Sequence, residues 1–158
     1  MAWTTLDDLT TGDLVTEAQM DAIRENINYN RSPLVEETLN IANFSTTSTS
    51  YVDVTGVTDT ITTTGTALRI IVLCSLDVAS GASAGGYLNL DIDGTAVTAD
   101  ADGLVQMSLT SGERACALVF VKTGLTAGAH TVKLQAKAKS VSYAFKVINA
   151  SIQLIDAA

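Results

Sequence analysis

Few side chains in this sequence could do covalent or acid–base chemistry, and they are scattered. His130 is the single histidine, set in Ala127-Gly128-Ala129-His130-Thr131 at the entry to an alternating segment. No GxSxG elbow accompanies it, so a structural or surface role is expected rather than a catalytic triad. Cys74 and Cys116 each lie inside an apolar, strand-like run. Neither has a CxxC partner or a nearby histidine, which argues against zinc. They read as two buried, reduced thiols. A disulfide between neighbouring strands stays open, because spacing along the chain does not give the distance in space.

Asp91-Ile92-Asp93-Gly94 and Asp100-Ala101-Asp102-Gly103 have the look of calcium loops. The loop fails at its twelfth position, where Ser111 stands instead of Glu. Turn chemistry explains both Asp-Gly pairs without an ion. No glycine-rich phosphate loop precedes a helix, and no dinucleotide or Walker pattern appears. Seventeen acidic residues give many carboxylate pairs, so counting alone does not exclude a glycosidase arrangement. The expectation is a protein that is not an enzyme and uses neither cofactor nor metal.

The composition supports that reading. At 158 residues the chain can bury a core of its own. Hydrophobic residues reach 47% and charged ones only 16%, so part of the surface is expected to be covered by other protein. A net charge of −8 argues against nucleic acid and against an anionic membrane surface. The start lacks the basic and apolar regions of a secretory signal, and no apolar run could span a bilayer, so synthesis in the cytoplasm is expected.

Two segments must carry whatever the chain does. Residues 1–33 read as an anchoring arm followed by one short α-helix. Trp3, Leu6, Leu9 and Leu14 punctuate an otherwise polar stretch. Thr16-Glu17-Ala18-Gln19 fits a capping box, with Gln19 reaching back to the Thr16 amide. Met20, Ile23 and Ile27 then form one narrow apolar stripe. A helix this short must pack on something, and Asn30-Arg31-Ser32-Pro33 ends it.

Residues 34–158 read as an antiparallel β-sandwich of about eight or nine strands. A jelly roll is the first choice and an immunoglobulin-like sandwich the second. Leu39 and Ile41 alternate briefly, and the phase then shifts at Ala42–Phe44. A turn is expected at Thr55-Gly56. Leu68 to Leu76 is apolar on both faces and reads as a central strand, and Ser80 to Gly86 as a loop. Leu88, Leu90 and Ile92 face one way, with Asn89, Asp91 and Asp93 facing the other. Asp93-Gly94 predicts a tight hairpin turn. Val132, Leu134, Ala136 and Ala138 alternate with polar residues. The last strand slips phase near Val147-Ile148, which predicts a bulge.

Charge divides unevenly along the chain. Eight of the seventeen acids fall in the first forty residues, while Lys133, Lys137, Lys139 and Lys146 lie on the last strands. Those lysines read as a solvated outer face. The sharper alternative sets Lys133, Lys137 and Lys139 against the acidic arm of a neighbouring subunit, fixing register.

The front of the chain, Trp3 followed by Gly12-Asp13-Leu14-Val15-Thr16 and then Ile23-Arg24-Glu25-Asn26-Ile27, resembles the start of many tailed-bacteriophage virion structural proteins. There a similar arm and helix precede a β-rich body. The body here is also similar to phage jelly-roll modules, in Tyr51-Val52-Asp53-Val54-Thr55-Gly56, Asp93-Gly94-Thr95 and Leu125 to Leu134. The resemblance covers most of the chain and implies a virion location. It does not say where in the virion. The sequence has no long repetitive shaft of a tail fibre, which favours a compact capsid decoration (cement) protein, expected to be a homotrimer that binds and stabilises the major capsid protein shell or another virion protein. Trp3, Leu6, Leu9, Leu14, Met20, Ile23 and Ile27 would be its anchors. The alternative is a tail-fibre, head-fibre or receptor-binding module for host glycans, using Tyr87, Tyr143 or the 80–86 loop. An enzyme acting on polysaccharide is a third and lesser reading.

Overall fold

The computed structural model describes residues 20, 35–40, 43–78, 84–108 and 112–157. The chain divides into two compact units, Met1–Pro33 and Leu34–Ala158. Of the first unit, Met20 is helical; the rest lies outside the described residues. Among the described residues no helix is long and apolar enough to cross a membrane.

The second unit is a sandwich of two antiparallel sheets. Its strands are β1 (Val35–Asn40), β2 (Phe44–Thr46), β3 (Val52–Thr63), β4 (Ala67–Val78), β5 (Gly85–Ile92), β6 (Thr95–Ala96), β7 (Val105–Ser108), β8 (Gly112–Thr123), β9 (Gly128–Ala138) and β10 (Phe145–Asp156). The first sheet runs β1-β10-β4-β8, with β2 also on β10. The second runs β3-β9-β5-β6, with β7 also on β5. The pairings nest: β1 with β10, β3 with β9, β4 with β8, then β5 with β6 and β7. Successive nested pairs alternate between the sheets, which is the wrapping of a jelly roll.

Strand periodicity puts the core between the sheets. Every second residue of β4, from Leu68 to Val78, is buried. On β9 the buried apolar set is Val132, Leu134, Ala136 and Ala138. Phe145 is the largest fully buried side chain among the described residues. It needs Gly86 opposite, because a Cβ there would run into the Phe145 ring.

Irregularities fall where the apolar phase slips. On β10, Phe145 and Val147 are buried, then Ala150, Ile152 and Leu154. The extra residue is a bulge between Ile148 and Ser151, with Asn149 at φ 49. Asparagine tolerates this left-handed backbone better than most residues. β1 ends opposite Ala150 and β2 starts opposite Val147, on the two sides of this bulge. The turn expected at Thr55-Gly56 is instead an interruption inside β3. Asp53 pairs with Gln135 and Thr58 with Lys133, so residues 54–57 oppose Leu134 alone. Val54 and Val57 both stay buried across it, which is why the chain continues rather than turning.

The hairpin at Asp93-Gly94 forms as its residues dictate. Ile92 pairs with Thr95, and both turn residues have positive φ, 55 and 80. The face of β5 expected to be polar and outward is covered. Asn89 is 0% exposed and Asp91 7%. The segment after β6 closes over this side through Val97 N–H to Leu90 O and Leu104 N–H to Leu88 O. Asn89 is buried beneath that segment at no polar cost, its amide donating to Thr98 O at 3.0 Å.

Candidate interaction surface

The two outer faces of the sandwich differ in how completely they satisfy themselves. On the second sheet, cross-strand neighbours pair off. Lys133 Nζ and Gln135 Nε2 both donate to Asp53, at 2.9 and 2.8 Å. These bonds, from Gln135 first and then Lys133, hold the Asp53 carboxyl below its ordinary value. Thr60 and Thr131 hydroxyls meet at 3.0 Å. The Lys137 ammonium sits over both the Tyr51 and Tyr87 rings, at 4.7 and 4.8 Å. Of the three lysines singled out in the sequence, Lys133 is therefore ion-paired within the chain and Lys137 is clamped between rings. Lys139 follows β9, its backbone amide donating to Gly85 O. Lys146, on the first sheet, pairs with Asp77 at 2.9 Å.

The first sheet presents a different face. Outward-facing Leu73 on β4 and Val119 and Val121 on β8 are 51%, 64% and 49% exposed. The register sets Leu73 beside Ala117, Ile71 beside Val119 and Arg69 beside Val121. Ala115 and Ala117 on the same face are exposed too. The patch ends at a sheet edge. β8 is twelve residues long, and among the described residues β4 is its only strand neighbour. A long apolar edge offers unpaired backbone donors and acceptors to another chain. Its charges, Glu113, Arg114 and Lys122, stand only at its two ends. Such a surface can bind protein by side-chain burial and by strand addition.

A recess of about 370 Å³ opens near the β6–β7 connection, lined by Ser50, Tyr51, Asn89, Thr98, Asp100 and Lys137 among others. Burial first, and then the Asp102 charge, push the Tyr51 hydroxyl up to about 12, so it stays a neutral donor. Tyr87 and Tyr143 are not the exposed platform expected of them. Both are half-buried, Tyr87 under Lys137 and Tyr143 against the core.

His130 is a structural tie. Its Nδ1 lies 2.7 Å from Asp93 Oδ2 and its Nε2 2.8 Å from Thr126 O. Both partners accept, so this geometry favours protons on both ring nitrogens. The Asp93 bond, then the Thr126 bond, raise the His130 pKa above 6.5. Burial alone would push the Asp93 carboxyl up. The bonds from His130 and the Thr131 amide outweigh it and hold Asp93 below 3.8. The Asp91, Asp93 and Asp100 carboxylates thus serve turns: Asp91 accepts the Gly94 amide and Asp100 the Asp102 amide.

A pH dependence follows. His130, with its raised pKa, contributes stability that is full below 6.5 and lost as pH rises through its folded value. Asp93, with its lowered pKa, contributes above 3.8 and loses it as pH falls through its folded value. His130→Ala should cost about 2 kcal/mol at pH 5.5. The gap from wild type in urea melts should narrow as pH rises towards 9. A gap that widens with pH would refute the charged tie.

Of the arm anchors, Met20 is 45% exposed. Trp3, Leu6, Leu9, Leu14, Ile23 and Ile27 lie outside the described residues. Sequence reasoning missed the Leu73–Val119–Val121 face. Its only signal was that Leu68 to Leu76 and Ala115 to Val121 are apolar on both faces. That pattern fits burial on both sides as well as exposure to a partner.

What the fold and this face define is a jelly-roll body with one self-contained outer face and one apolar, open-edged face. No family model matches the chain, and no curated protein matches it. In structure it is similar to a chain in the structure of infectious bursal disease virus, Gx strain, with a TM-score of 0.44 and 14% identity. That match covers 78% of this chain and 36% of the other, so the chain spans about a third of that neighbour's length.

Proposed function

We propose that this chain is a structural protein of a tailed-phage virion, a decoration (cement) protein made in the host cytoplasm and bound to the major capsid protein shell. It acts mechanically, as a homotrimer, without catalysis, cofactor or metal. The observation that carries the reading is the exposed Leu73–Val119–Val121 face ending at β8, which among the described residues pairs with β4 alone. The resemblance of the front segment to virion proteins supports it. Residues 1–33 supply a second contact, through Trp3, Leu6, Leu9, Leu14, Met20, Ile23 and Ile27. Buried aromatic anchors of this kind carry a large share of interface energy. Lys133, Lys137 and Lys139 meet a neighbour's acidic arm in this scheme, where the arm competes with Asp53 for Lys133. Many such contacts over a shell add through multivalency.

Deleting residues 1–15 tests the arm. The truncated protein should keep the circular dichroism and melting of the sandwich, and its occupancy on particles should fall at least about tenfold. Equal occupancy would remove the arm from the scheme. The recess beside the Tyr51–Lys137–Tyr87 clamp favours the second reading, a fibre or receptor-binding module for host glycans. Copies per particle separate the two. Counts in the hundreds mean decoration, and a few to tens mean a fibre or tail component.

A further inference from the structure

β4 and β8 set Cys74 and Cys116 directly opposite one another in antiparallel register. Directly opposed residues stand about 4.5–5.5 Å apart at Cα and leave the sheet on the same side. Disulfide-bonded cysteines span about 4.4–6.8 Å, a range that includes this separation. Both side chains face the core. Cys74 lies between Val72 and Leu76, which are buried, and Cys116 neighbours Leu118 on the side packed against the core. Both thiols are free. We propose that Cys74 and Cys116 form a cross-strand disulfide when the protein meets a small oxidising disulfide such as oxidised glutathione, stapling edge strand β8 to β4.

Access decides the order of events. Cys74 is 7% exposed, whereas Cys116 is half-buried. The hydrogen bond from Cys74 holds the Cys116 thiol below its ordinary value, against the opposing push of burial. The same contact and burial drive Cys74 upward. Cys116 therefore reacts first, as its thiolate. It attacks one sulfur of oxidised glutathione, forming a mixed disulfide and releasing one glutathione, which takes the Cys116 proton. Cys74 then attacks the Cys116 sulfur, and the second glutathione leaves with the Cys74 proton. Two cysteine thiols are oxidised and one glutathione disulfide is reduced to two thiols.

The bond closes a loop containing β5, β6 and β7 and fixes the strand that forms the open edge. This inference does not depend on what the edge binds. The full-length protein should be incubated with oxidised glutathione, then read by intact mass and non-reducing peptide mapping. The expected product is a monomer two hydrogens lighter, with the Cys74 and Cys116 peptides joined. Its melting temperature should rise by about 5–10 °C and return on reduction. Cys74→Ala should instead trap one glutathione on Cys116. A wild-type protein that stops at the mixed adduct, links between molecules or leaves both thiols free overturns the proposal. So does a crosslinked monomer that melts lower than the reduced form.

Discussion

Replacing Phe145 with alanine should lower the unfolding free energy by about 4 kcal/mol. Phe145 is 0% exposed and is the largest fully buried side chain among the described residues. It stands at the start of β10, between Val78 of β4 and Thr46 of β2. Across the core its ring occupies the space that a side chain at position 86 would fill. Removing the ring leaves a cavity between two strands that meet through it. The sheets cannot close over that cavity, because the β5 and β10 ladders hold their spacing. In thermal melts the loss corresponds to a fall of about 8–16 °C. Filling the space from the other side should not rescue it simply, since a residue at 86 would project from the wrong strand. A melting temperature within a degree or two of wild type would mean that Phe145 is not packed as described.

The second large effect is on association rather than folding. Leu73→Lys with Val119→Lys should leave the sandwich folded, with each change costing less than about 1 kcal/mol. Both side chains are already half or more exposed, so little burial is lost. Lysine is also a residue that natural edge strands use to discourage pairing. If the face docks on protein, two charges set in its centre must be desolvated without partners. Truncating hot-spot contacts costs at least about 2 kcal/mol. Occupancy on particles, or self-association measured by analytical ultracentrifugation, should therefore fall at least about thirtyfold. A folded double variant that associates as well as wild type would remove this face from the proposed function. The Phe145 variant is the control, because it disturbs the core while leaving the face intact.

Much of the body was legible because strands bury alternate residues. The run from Val132 to Ala138 announces its inward face, and so does Leu88 to Ile92. The slip at Val147-Ile148 became a bulge because an inserted residue is the only way to keep Phe145 and Ala150 on one side. Asp93-Gly94 became a hairpin because those two residues tolerate the positive φ that such a turn needs. Thr55-Gly56 misled for a related reason. The same dipeptide serves a turn or a bulge, and only the burial of both Val54 and Val57 decides between them.

The sequence by itself determined that the body is an antiparallel sandwich, which residues of β5 and β9 face its core and that the chain turns at Asp93-Gly94, because these depend on neighbours along the chain. Tertiary structure decided the rest. It placed β8 at an edge, covered Asn89 and Asp91, tied His130 to Asp93 and set Cys74 opposite Cys116. The physical reason is that an apolar strand reads the same whether it lies between two others or at a border. Only the pairing of distant segments says which side of it meets water.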